Sequence, residues 1–126
     1  MANEISIGIQ VTIQEGFFQE SINKSFRDDF PIIGLGGGIQ IIGTTPENLD
    51  FGDVTYHGWL YLENLDENNI IDYGPDDGGG TMVSVARLDP GECCLWRMKP
   101  NITVKACART AASRLLVKCF ETATST

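Results

Sequence analysis

Between positions 4 and 14 the chain alternates: Ile5, Ile7, Ile9, Val11 and Ile13 occupy every second place, with Glu4, Ser6, Gly8, Gln10, Thr12 and Gln14 between them. A period of two marks an extended strand, whose successive side chains point to opposite faces. One oily face and one polar face suit an antiparallel strand buried on one side. Phe17, Phe18, Ile22 and Phe26 follow with weaker patterning, which predicts a second strand or an arm. Most of the four phenylalanines between positions 17 and 30 (Phe17, Phe18, Phe26 and Phe30) are expected in the core. The same cluster is the candidate contact between subunits, since aromatic residues are enriched at interfaces.

The glycine-rich stretch 34–43 reads as a flexible turn feeding a short strand, and 44–53 as a loop of turn-forming residues. Residues 55–65 predict a strand with Trp59 and Tyr61 on one face and Leu60 and Leu62 on the other. Both faces then need a cover, as in a sandwich strand whose second face meets another chain or a loop. A short strand is expected at 70–73, ahead of the turn-rich 74–80. The last third alternates strands and turns: TMVSVARL, DPGE, CCLWRM, KPN, ITVKACAR, TAAS, RLLVKCF. Pro90 and Gly91 suit the centre of a type II turn. Such a turn matches a two-residue hairpin poorly, so DPGE is expected to be a corner that switches sheets.

About eight or nine short strands with spacings near ten residues indicate an all-β, antiparallel β-sandwich or barrel. A helix over residues 108–120 is the competing reading, weakened by Thr110 and Ser113 and by the strand cadence before it. At 126 residues the chain is read as one domain, with residues 1–33 as an N-terminal strand or arm that contributes to assembly.

Charge narrows the partners. Residues 1–80 carry fourteen Asp and Glu against Lys24 and Arg27, whereas residues 81–126 carry seven Lys and Arg against Asp89, Glu92 and Glu121. An acidic chain repels a polyanion, so nucleic acid is not an expected partner. No apolar run is long enough to span a membrane, and the N-terminus lacks the basic lead and apolar segment of a secretory signal. Synthesis in a cytoplasm, with Cys93, Cys94, Cys107 and Cys119 as free buried thiols, is the expectation.

Reactive constellations are hard to assemble. His57 is the sole histidine, so any nucleophilic relay would have to run through it, and no motif places partners around it. The adjacent Cys93 and Cys94 match neither a redox nor a zinc spacing, and neighbours in a strand should point apart. The glycine runs at 34–38 and 78–80 lack the lysine and hydroxyl residue of a phosphate loop. Asp72, Asp76 and Asp77 could offer oxygens to Ca²⁺, but a solvated acidic turn is the simpler reading. No catalytic residue, cofactor or metal ligand is therefore assigned.

Three phrases, DFGDV, GWLYLENLDENNIIDYGPD and RLDPGECCLWRMKPNITVKACA, resemble in their order small virion proteins of tailed phages that decorate or cement the head. The resemblance spans residues 49–121 and leaves out the first forty. It implies a jelly-roll-like sandwich on the capsid exterior, bound to the major capsid protein and to itself as a homotrimer, without enzymatic activity. It also implies that GWLYLENLD is a strand with Asn64 and Asp66 as its turn. Trp96 is expected to anchor the core. Two other roles stay open: a tail, neck or fibre-base component of the same fold, and a carbohydrate-binding module with Tyr56, Trp59 and Tyr61 as a stacking platform. A small hydrolase built around His57 is the least supported.

Overall fold

The structure is a computed structural model that describes residues 4–29, 35–52, 54, 57–99 and 102–121; Phe30 and Tyr56 lie outside these. The described residues form ten strands and no helix. Strands β1 (Glu4–Glu15) and β2 (Phe18–Asp29) pair antiparallel as a long hairpin. Eight more follow: β3 (Leu35–Ile42), β4 (Glu47–Asn48), β5 (His57–Asn64), β6 (Ile71–Pro75), β7 (Ala86–Leu88), β8 (Cys93–Arg97), β9 (Val104–Ala108) and β10 (Ser113–Glu121). These build two four-stranded antiparallel sheets, ordered β3-β10-β5-β8 and β4-β9-β6-β7.

The orders contain four nested pairs: β3 with β10, β4 with β9, β5 with β8, and β6 with β7. That is one long hairpin. Rolling it up adds the β5–β10 and β6–β9 pairings and closes a jelly roll. The sandwich thus has eight strands, and the hairpin raises the count above the eight or nine expected.

Alternation fills the interior. Leu60 and Leu62 of β5 and Leu115, Val117 and Cys119 of β10 are buried in one cluster with Ile71 and Tyr73 of β6 and Val104, Ala106 and Ala108 of β9. Trp96 contributes less than expected. It is half-buried, packed against the cluster's edge with its ring 5.1 Å from that of Tyr73.

Asn64 is fully buried and all its side-chain bonds are internal. Its Nδ2 donates to the carbonyls of Asn69 (2.8 Å) and Leu88 (3.0 Å), and its Oδ1 accepts from the Asp66 amide (2.9 Å). One amide thereby ties the end of β5, the turn after it and the end of β7. Asp66 continues the turn by accepting from the amides of Asn68 and Asn69.

The DPGE turn is the expected corner. Gly91 has φ +79°, the Glu92 amide donates to the Asp89 carbonyl at 3.0 Å, and the chain passes from β7 in one sheet to β8 in the other. Three sequence expectations need correction. The glycines at 36–38 lie within β3 and are not a turn: a Cβ on Gly36 would fall 1.6 Å from the Phe51 carbonyl oxygen, so glycine lets the following loop press onto the strand. Residues 83–85 run outside regular strand, and only Ala86–Leu88 of that segment pairs as β7. The 44–53 loop includes the two-residue strand β4. The stretch expected either as strand or as helix near the C-terminus is β10.

Replacing Asn64 by alanine strands the Leu88 carbonyl and its companions inside, and is expected to cost about 2–3 kcal/mol in urea unfolding. Trp96→Ala should cost about 3 kcal/mol, the low end for large aromatic truncations because the ring is only half-buried. An unchanged unfolding midpoint for either variant would contradict the packing described.

Candidate interaction surface

Directly paired residues of the hairpin share a face, so its register defines both of them. One face carries Ile7 opposite Phe26, Ile9 opposite Lys24, Val11 opposite Ile22, Ile13 opposite Glu20 and Glu15 opposite Phe18. The other pairs Ser6 with Arg27, Gly8 with Ser25, Gln10 with Asn23, Thr12 with Ser21 and Gln14 with Gln19. The hairpin is therefore amphipathic along its length. Gly16 and Phe17 form the two-residue tip, and Phe17 is 109% exposed.

The base of the apolar face is docked on the sandwich. Ile7 is buried, and the Phe26 ring lies 5.7 Å from that of Trp59. Trp59 Nε1 donates to Asp28 Oδ2 at 2.8 Å, Arg97 forms an ion pair with the same oxygen, and the Arg97 guanidinium sits 5.3 Å over the Trp59 ring. Beyond this corner the stripe is open: Ile9, Val11, Ile13, Phe18 and Ile22 are all exposed, Phe18 at 59%.

Of the candidate interface residues, then, Phe17 and Phe18 lie at the free tip, Phe26 at the docked base, and Phe30 outside the described residues. The expectation that most of these rings are core is not met for Phe17 and Phe18. Alternation identifies the oily face of a strand but carries no information on what covers it. The sequence did not single out Ile9, Val11, Ile13 and Ile22 as surface, although the polar run on the opposite face belongs to the same period-two signal.

A second uncovered face belongs to the β3-β10-β5-β8 sheet. Its outward side carries Ile39 and Ile41 from β3, Arg114, Leu116 and Lys118 from β10, Tyr61 and Glu63 from β5, and Leu95 from β8. Ile39, Ile41 and Leu95 are exposed, Ile41 at 65%. Tyr61 donates to Glu63 Oε1 at 2.7 Å, and that bond, with burial second, raises the phenol above its ordinary range. Neither Arg114 nor Lys118 has an ion-pair partner among the described residues.

The other candidates are engaged structurally. His57 is half-buried, edge-on to Phe51 with centroids 4.9 Å apart, and its Nδ1 is buried without a hydrogen-bond partner. An open trough of about 300 Å³ lined by Gly37, Gly38, Ile39, Gln40 and Asp50 contains one carboxylate and no histidine, lysine or nucleophilic side chain. The four cysteines are unpaired, but they are not all buried: Cys93 is exposed and Cys107 half-buried, while Cys94 turns toward the core as neighbouring strand positions require. Burial pushes the Cys119 thiol up to about 11 and raises that of Cys94, opposite to the activation of a nucleophilic thiol.

Asp72 points at Arg109, which donates to it through Nε (2.8 Å) and Nη2 (2.9 Å). Asp76 and Asp77 accept from the amides of Gly78 and Gly79 in the loop that they cap. Among the described residues no group of three or more His, Cys, Asp or Glu is placed to hold a metal ion. The Trp59 ring is occupied by Arg97 and Phe26, which leaves no open stacking platform at that position.

No family model matches the chain, and neither a curated protein nor a solved structure is similar to it.

Amide donors hold two carboxyls below the ordinary range, the half-buried Asp66 through Asn68 and Asn69, and the exposed Asp77 through Gly79 and Thr81. A depressed folded-state pKa gives stability that is present above the unfolded value of about 3.9 and disappears as pH falls through the folded one. Melting temperature should therefore drop as pH is lowered from 5 toward 2. A variant with Asp66→Asn and Asp77→Asn should lose less over that window; an equal loss would remove these turns from the acid response.

Proposed function

We propose that the protein is a non-enzymatic structural component of a tailed-phage virion: a decoration or cement protein that binds the major capsid protein on the head exterior and stabilises the shell. One observation carries the assembly part of this reading, the long hairpin with an apolar face left in solvent. A two-stranded hairpin by itself is at best marginally stable in water, and contiguous exposed apolar surface marks a protein-binding surface. The phage assignment draws on the resemblance of residues 49–121.

In that role the jelly roll is a rigid carrier and the hairpin an assembly element. Many copies with modest contacts would together resist the outward pressure of packaged DNA, as multivalent attachment multiplies weak binding. The net charge of −8 would keep decorated particles soluble and apart. No cofactor, metal, membrane or nucleic acid is needed. A carbohydrate platform is disfavoured by the occupied Trp59 ring. A tail or neck role shares the fold and differs in copy number per particle.

Purified protein mixed with undecorated heads should bind saturably, at a fixed stoichiometry of many copies per head, and raise the temperature at which the heads rupture. Absence of saturable binding rejects the decoration role.

A further inference from the structure

The hairpin and the sheet face that it touches are both incomplete as found. From Ile9 to Glu15 the hairpin extends about 20 Å, at about 3.4 Å per residue, with its apolar stripe exposed. The four strands of the β3-β10-β5-β8 sheet span about 14 Å between their outermost axes. The overhang is long enough to cross a sheet of that width.

The two surfaces also match in chemistry. The proximal end of the stripe is already seated on this sheet: Phe26 packs on Trp59, and the Asp28 carboxylate meets Arg97. The distal stripe repeats that combination of apolar side chains with carboxylates, through Ile9, Val11, Ile13, Phe18 and Ile22 together with Glu15 and Glu20. The unoccupied part of the sheet repeats the receiving combination, through Ile39, Ile41, Leu116 and Leu95 together with Arg114 and Lys118. Lys24 on the stripe has a counterpart in Glu63 on the sheet. Glu15, Glu20, Lys24, Arg114 and Lys118 form no ion pair with one another or with other described residues.

The chain's own hairpin meets the sheet at the Trp59–Arg97 corner and leaves both the distal stripe and Ile39, Ile41 and Leu95 of the sheet face exposed. We infer that the occupant is a second copy: the distal hairpin of one protomer lies across the outward face of the β3-β10-β5-β8 sheet of its neighbour. This deepens the proposed assembly role and rests on it only for the meaning of the assembly, not for the contact itself. Exchange of arms buries the stripe that water would otherwise solvate, and the Glu15 and Glu20 carboxylates set its register against Arg114 and Lys118.

The test is the mass of the full chain by sedimentation equilibrium. Wild type should be a multimer. The arm variant E15K/E20K and the sheet variant R114E/K118E should each associate at least tenfold more weakly, since like charges are then brought together. The combined variant with all four changes should regain wild-type association. All four side chains are exposed, so the fold should persist, with near-ultraviolet circular dichroism and melting temperature as the check. A monomeric wild type, or charge variants that associate as tightly as wild type, overturns the inference. The same samples applied to undecorated heads separate it from the decoration role. A monomer that decorates heads saturably sinks the arm exchange and leaves that role standing; a multimer that ignores heads does the reverse.

Discussion

The structure depends on burial of apolar side chains between two sheets that cannot form separately. In the β3-β10-β5-β8 sheet no two neighbouring strands are consecutive in the chain, and in the partner sheet only β6 and β7 are. Every other pairing must wait for distant segments to meet, and each closure costs chain entropy before any contact offsets it. What offsets it is the shared interior of Leu60, Leu62, Ile71, Val104, Leu115 and Val117, to which both sheets contribute. A substitution on either side of that interior therefore weakens both sheets.

Polar groups in this interior serve topology. Asn64 is the clearest case, since its amide holds three segments at the point where β5 ends, the chain turns, and β7 closes. The Asp89–Glu92 corner next to it moves the chain between sheets, and the Asn64 backbone bonds to that corner as well: its amide donates to the Glu92 carbonyl and its carbonyl accepts from the Gly91 amide. The acidic turns at Asp66 and Asp77 are closed by their own carboxylates accepting backbone amides. Four of the acidic side chains in the first two-thirds of the chain, Asp50, Asp66, Asp76 and Asp77, thus serve turns, which a count of charges does not reveal.

The hairpin obeys a different logic. Its pairing is wholly local, from Glu15 opposite Phe18 outward, and needs no distant segment. What it lacks is a second layer. Only its base finds one, at Trp59 and Arg97, where an aromatic contact, an indole hydrogen bond and an ion pair converge on Phe26 and Asp28. The jelly roll closes its own interior, and the arm leaves its apolar stripe in solvent.

Period-two alternation determined a great deal by itself. It placed β1, β5 and β9, assigned Leu60 and Leu62 to one face and Trp59 and Tyr61 to the other, and separated Cys93 from Cys94. Proline and glycine marked the corner at Asp89–Glu92. These features are local, because a strand's two faces and a turn's dihedral angles are set by neighbouring residues. Three matters were decided only in three dimensions: that the glycines at 36–38 are strand and not turn, that Asn64 is a buried tie, and that the oily face of β1 meets solvent beyond Ile7. Each depends on which distant segment arrives, whether the Phe51 carbonyl, the Leu88 carbonyl, or nothing in the same chain. A sequence states which side of a strand is apolar; only the packed molecule decides what lies against it.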